Sequence, residues 1–79
     1  MTLTILAPTS QKQMTITWLE AQTPQGSYVI LPGHAPLTVQ LTPHAPLMIG
    51  LHDDATETMT IANGILHVDR HKATVIIDE

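Results

Sequence analysis

Hydrophobic and polar residues alternate with a period of two along most of this chain. Leu3 and Ile5 fall on one face of a first segment, with Thr2 and Thr4 on the other. Met14, Ile16 and Trp18 share a face of a second, where Thr15 and Thr17 point away. Such alternation predicts strands with one buried face. Thr23-Pro24-Gln25-Gly26 reads as a turn. After it, Tyr28-Val29-Ile30-Leu31 is an uninterrupted apolar run, the pattern of a strand buried on both faces. Prolines at 8, 24, 32, 36, 43 and 46 cut the first two-thirds into pieces too short for ordinary helices.

Beyond Pro46 there is no proline, so a helix competes there. Asp54 and Glu57 have capping-box spacing, whereas Thr56, Thr58, Thr60 and Ile61 favour a strand with Met59 and Ile61 inward. Leu66 and Val68 then alternate with His67 and Asp69, so the inward parity changes from odd to even. A one-residue slip would flip every side chain, and something between must absorb it. Asn63-Gly64 is the natural place, as a bulge or tight turn at positive φ. Asp69-Arg70-His71-Lys72 is a polar hairpin loop leading into a last strand with Val75 and Ile77. Seven or eight short strands, with turns about every ten residues, describe an all-β sandwich or small barrel.

Composition agrees. Of 79 residues, 8 are Ile, 4 Val and 12 Thr, β-branched types that suit a pleated sheet. There is no Phe, and Trp18 and Tyr28 are the only large aromatics. The length allows one domain, residues 1–79, which buries only about 60% of its unfolded surface and leaves stability marginal. Without cysteine, neither disulfides nor thiolate metal sites can staple it. The net charge is −4, with Lys12, Arg70 and Lys72 the only Lys or Arg, which argues against nucleic acid and against an anionic lipid surface. No apolar run approaches a membrane span, and no signal peptide is recognisable. The expectation is a soluble protein, held at a membrane by another protein if it works there.

Candidate chemistry is sparse. His-Ala-Pro-Leu occurs twice, at 34–37 and 44–47. Two turns of similar chemistry, each leading into a strand, explain this better than a duplicated ligand site, because nothing else repeats at that period. His67 and His71 have the spacing of a helical metal pair, but the residues between them read as a loop, with Arg70 and Lys72 close by. Asp53, Asp54 and Glu57 do not have the spacing of a calcium loop. No nucleophile elbow, phosphate loop or dinucleotide fingerprint is present. We therefore expect no catalytic residues, no metal, no cofactor and no small-molecule substrate.

Gly26-Ser27-Tyr28-Val29-Ile30-Leu31-Pro32-Gly33-His34-Ala35-Pro36-Leu37 closely resembles the signature of the epsilon subunit of F-type ATP synthases. Ala62-Asn63-Gly64-Ile65-Leu66-His67-Val68 is similar to that family's Gly-Gly segment, and Ala73-Thr74-Val75-Ile76-Ile77 to its closing strand. Val29 stands where the family has a second glycine, Ser27 replaces a common acidic residue, and Asn63 replaces the first Gly of the pair. The resemblance covers the whole chain and corresponds to the family's N-terminal domain. It implies a flattened β-sandwich of two packed, mostly antiparallel sheets, and a non-catalytic rotor subunit that links the gamma subunit to the c-ring. Such a subunit couples proton or other ion transport to ATP synthesis as a peripheral protein on the cytoplasmic face of the bacterial inner membrane, or on the equivalent organellar membrane. An epsilon-like adaptor in another assembly is the alternative. Carried over by motif, the partner surface is expected at Gly26, Ser27, Tyr28, Gly33, His34 and Ala35, with Thr9 and Ser10 added and Tyr28 taken as an exposed anchor. Pro32, Gly33, Pro36, Asn63 and Gly64 are expected to be structural turns, Gly33 and Gly64 as backbone requirements. The family's helical hairpin would begin where this sequence stops, so no inhibitory arm is expected.

Overall fold

A computed structural model describes residues Met1–Asp78. Among them the chain forms nine strands: β1 (Thr2–Ala7), β2 (Ser10–Thr15), β3 (Trp18–Thr23), β4 (Gly26–Ile30), β5 (Leu37–Gln40), β6 (Ala45–Gly50), β7 (Thr56–Ile61), β8 (Gly64–Val68) and β9 (Lys72–Ile77). A tight turn at His52–Asp54, with Asp53 at φ 64° and Asp54 at φ 61°, separates β6 from β7. The competition between helix and strand after Asp54 is thus decided for strand. The strands make two packed sheets, β2-β1-β9-β8-β5 and β4-β3-β6-β7. Every pairing is antiparallel except that of β1 with β9, which sets the first and last strands side by side.

The core lies between the sheets. Leu3 and Ile5 from β1, Leu66 and Val68 from β8, and Ala73 and Val75 from β9 face Leu19, Ala21, Ile30, Leu47, Ile49 and Ile61 of the other sheet. Each fully buried Leu or Ile contributes about 1.5–3 kcal/mol. Thr23 is the one buried polar side chain among the described residues, and it is satisfied: its hydroxyl donates to Gly26 O (2.8 Å) and accepts from Gln25 N (3.1 Å). That pair of bonds closes the β3–β4 turn expected at Pro24-Gln25.

The chain crosses repeatedly from one sheet to the other, and the crossings explain where simple alternation fails. Ile16 N–H donates to Met1 O (2.8 Å) beside β1, whereas Thr17 N–H donates to Gly50 O (2.8 Å) on β6. The single strand expected over Met14–Trp18 is therefore the junction of two. Ile16 is buried, but Trp18 faces outward and Leu19 and Ala21 take the inward positions. Leu41 and Thr42 repeat the device, donating to Gly64 O (2.9 Å) and Gln22 O (2.8 Å) in opposite sheets.

The parity change between β7 and β8 has the same origin. Ile61 ends one sheet, Gly64 begins the other, and Ala62-Asn63 bends between them. Neither Asn63 nor Gly64 has positive φ, contrary to the expected bulge or tight turn. Gly64 is required for space: a Cβ there would lie 3.1 Å from Ile76 O, 3.2 Å from Ile61 Cγ2 and 3.3 Å from Leu41 Cδ1.

The two His-Ala-Pro-Leu repeats follow two similar turns placed one residue out of step. In the first, Pro32-Gly33 carries a bond from His34 N to Leu31 O (3.1 Å), with Gly33 at φ 84°. In the second, Pro43-His44 carries a bond from Ala45 N to Thr42 O (3.3 Å), with His44 itself at φ 59°. Both have proline at the second corner and positive φ at the third, the type II arrangement. A non-glycine residue is strained there by about 1–2 kcal/mol. His44→Gly is therefore expected to stabilise the fold by about 0.5 kcal/mol after the added chain entropy of glycine is subtracted. Gly33→Ala should destabilise it by about 1 kcal/mol. Urea midpoints of both variants check the opposite signs.

Candidate partner-binding surface

The residues carried over by motif occupy both ends of the sandwich. The β1–β2 tip at Pro8-Thr9, the β3–β4 tip at Pro24-Gln25, the Pro43-His44 turn and the Ala62-Asn63 bend share one end, as strand directions and the Leu41 and Thr42 bonds require. Thr9, Ser10, Gly26 and Ser27 are therefore at this end, all exposed. Ser27 Oγ donates to Gln22 Oε1 (2.7 Å) on the outer face of β3, and Gly26 takes φ 117° at the start of β4.

Gly33, His34 and Ala35 lie at the other end, beyond β4, whose five residues span roughly 15 Å. The turn is anchored: Gly33 N donates to Arg70 O (3.1 Å), tying it to the β8–β9 loop. His34 Nδ1 lies 2.7 Å from Ala35 O, which holds the imidazole against its own backbone. The structure thus separates the expected surface into two clusters.

The lateral placement separates the tips further. Lys12 on β2 reaches Glu57 on β7 (3.9 Å), so those two edges share one flank. This ion pair is solvent-exposed and contributes little. The Leu31–Pro36 connection joins β4 to β5, which share the opposite flank. Thr9 and Ser10 are on the β2 side, Gly26 and Ser27 on the β4 side.

Tyr28 is not an exposed anchor. It pairs with inward-facing Ala21, is half-buried and packs against the core. The Tyr28–Leu31 run is not buried on both faces either. Ile30 is fully buried, while Val29 is 54% and Leu31 56% exposed. β4 is an edge strand of a sheet whose outer face is open, so alternate members of an apolar run must face outward.

That outer face carries residues the sequence reading missed. Val29 pairs with Glu20 and Glu20 with Met48, while Trp18 pairs with Gly50. Trp18, Val29, Leu31 and Met48 thus form an apolar patch with one carboxylate. The signal was available in the odd positions of the 28–31 run, which share a face with neither Tyr28 nor Ile30. The outer face of the larger sheet is mainly Thr and Gln, crossed by one apolar row, Leu6-Ile76-Ile65. Near that row an open groove of about 490 Å³ is lined by Thr38, Gln40, Asn63, Ile65, Ile76 and Asp78. Among the described residues no three His, Asp or Glu side chains converge as metal ligands would. No helix there is long and apolar enough to cross a membrane.

Two packed, mostly antiparallel sheets with turns at both ends and an apolar patch on one outer face define an all-β sandwich domain. Over residues 1–79 the chain matches the family described as ATP synthase, Delta/Epsilon chain, beta-sandwich domain, and it belongs to that family. It is 38% identical over 63 residues to the ATP synthase epsilon chain of Acinetobacter baylyi, covering 80% of this chain and 45% of that one. The Acinetobacter baumannii (strain AYE) ATP synthase epsilon chain matches at the same identity and coverage. The chain thus spans about half the length of these relatives. Among solved structures, a chain of the Euglena gracilis mitochondrial ATP synthase OSCP/F1/c-ring assembly superposes with a TM-score of 0.88 at 22% identity, over 98% of this chain and 49% of that one. One from the Tetrahymena thermophila mitochondrial ATP synthase central stalk/c-ring gives 0.81 at 16%, over 99% and 63%. At those identities the two structures speak to the fold.

Proposed function

We propose that this domain is a non-catalytic element of an F-type ATP synthase central stalk, holding the gamma subunit to the c-ring and coupling ion flow to ATP synthesis. The observation that carries this reading is the family match across the whole chain, 1–79. The names of its epsilon-chain relatives support it further. In this role the domain acts mechanically: its two sheets form a stiff body, and its exposed turns make the contacts. Thr9 and Ser10 on the β2 flank and Gly26 and Ser27 on the β4 flank supply the contacts at one end, and Gly33, His34 and Ala35 those at the other. Their placement at opposite ends favours two separable attachments. The domain works as a peripheral protein on the face of the membrane that carries the catalytic head, which in a bacterium is the cytoplasmic one.

Co-purification with the gamma subunit and c-ring tests the proposal. Ser27 is exposed and His34 sits on an anchored turn, so Ser27→Arg and His34→Ala should leave the thermal midpoint unchanged. Each should weaken assembly, with one variant affecting chiefly one partner. Undiminished assembly in both would place the interface elsewhere. Tyr28→Ala is unsuitable, because Tyr28 packs against the core and its loss confounds folding with binding.

A further inference from the structure

We propose that Asn63 is a site of spontaneous succinimide formation, converting to aspartate or isoaspartate in the folded domain. Asn63 is the chain's single asparagine, and Gly64 follows it. Glycine lacks the Cβ that hinders attack of its nitrogen on the preceding side chain. Asn63 is exposed in the bend between β7 and β8, outside both strands. Among the described residues no hydrogen bond holds its side-chain amide; Gly64 is buried, but both residues line the open groove, which brings water to the Asn63 carboxamide. Asp78 N–H donates to Asn63 O (3.1 Å). When the Gly64 nitrogen loses its proton, the negative charge is shared with that oxygen, so a donor is already aimed at the developing charge.

The step balances without redox chemistry. Gly64 N gives its proton to solvent base and forms a bond to Asn63 Cγ. The Cγ–Nδ2 bond breaks, and ammonia leaves with a proton from solvent. Water then opens the ring at either carbonyl, so one water enters and one ammonia departs. Opening at the Asn63 main-chain carbonyl leaves isoaspartate and adds a methylene to the backbone between β7 and β8. Neighbours stand 3.1–3.3 Å from where a Cβ of Gly64 would lie, so the strand start has little room to absorb the added length.

The test is to age the purified chain in mildly alkaline and mildly acidic buffers. Position 63 is then read by peptide mass mapping and by isoaspartate methyltransferase labelling. The expected result is conversion confined to residue 63, faster in the alkaline buffer, with a lower thermal midpoint in the aged fraction. Asn63→Gln should abolish the labelling. Intact Asn63 in the folded chain, under conditions that convert the urea-unfolded chain, would overturn the proposal. So would labelling that persists in the Asn63→Gln variant.

Discussion

Gly50→Ala is expected to destabilise the domain by about 1–2 kcal/mol, the lower part of the range for inserting a methyl group into occupied space, because the one obstacle is a partly exposed side chain. Gly50 lies opposite Trp18 in the β3–β6 ladder, and its backbone needs no positive φ. The constraint is therefore purely one of contact. A Cβ on Gly50 would overlap the Trp18 indole at Nε1, Cδ1 and Cε2, which lies across the glycine. Gly50 O also accepts the Thr17 N–H (2.8 Å) where the chain passes from one sheet to the other. The added methyl thus displaces the indole beside a crossing that fixes two strands. Trp18 is the only tryptophan, so its emission reports the displacement directly. The expected outcome is a lower urea midpoint together with a red-shifted emission maximum. In a Trp18→Ala background the same substitution should change stability by only a few tenths of a kcal/mol, since the two effects are coupled through one contact. Equal penalties in both backgrounds would show that the indole is not the obstacle.

Much of the fold was legible because burial on one face leaves a period-two record. Leu3 and Ile5, Leu66 and Val68, and Val75 face inward as their alternation demands. The record fails where the chain changes sheets. Met14, Ile16 and Trp18 share a parity, but the crossing at Ile16-Thr17 resets which parity is inward. The conflict was visible in Leu19 and Ala21, whose parity opposes that of Trp18. The change between β7 and β8 was legible as an event, and the chain makes it in a bend at Ala62-Asn63 just before Gly64, where Asn63-Gly64 was expected to absorb it. Its cause was not legible, because positive φ and lack of space both select glycine. Tyr28-Val29-Ile30-Leu31 could not be resolved for a related reason: an apolar outer face and a second buried face write the same letters. The proposed partner surface was less legible than the fold. The signature from Gly26 to Leu37 is continuous in sequence, yet β4 carries its two halves to opposite ends of the sandwich. Proximity along a motif is not proximity in a sheet.

Gly64→Val should lower stability by about 3 kcal/mol, and Gly64→Ala by about 1–2 kcal/mol, because the obstruction grows with each added carbon. The neighbours come from three elements: Ile76 O from β9, Ile61 Cγ2 from β7 and Leu41 Cδ1 from the β5–β6 crossing. The side-chain carbons can give by a few tenths of an ångström. The Ile76 carbonyl belongs to β9, which pairs with β8 on one side and β1 on the other, so it yields only by shifting the centre of the larger sheet. Valine adds two further methyl groups in the same space and has restricted χ1 freedom to avoid them. Chemical denaturation of the two variants distinguishes this account from one based on positive φ. Under packing, Asn at position 64 is as harmful as Ala or worse, because it also has a Cβ and is larger. Under positive φ, Asn would be the best-tolerated substitution, since it reaches the left-handed region readily. The expected order of stability is Gly, then Ala, then Asn and Val; Asn above Ala would overturn it.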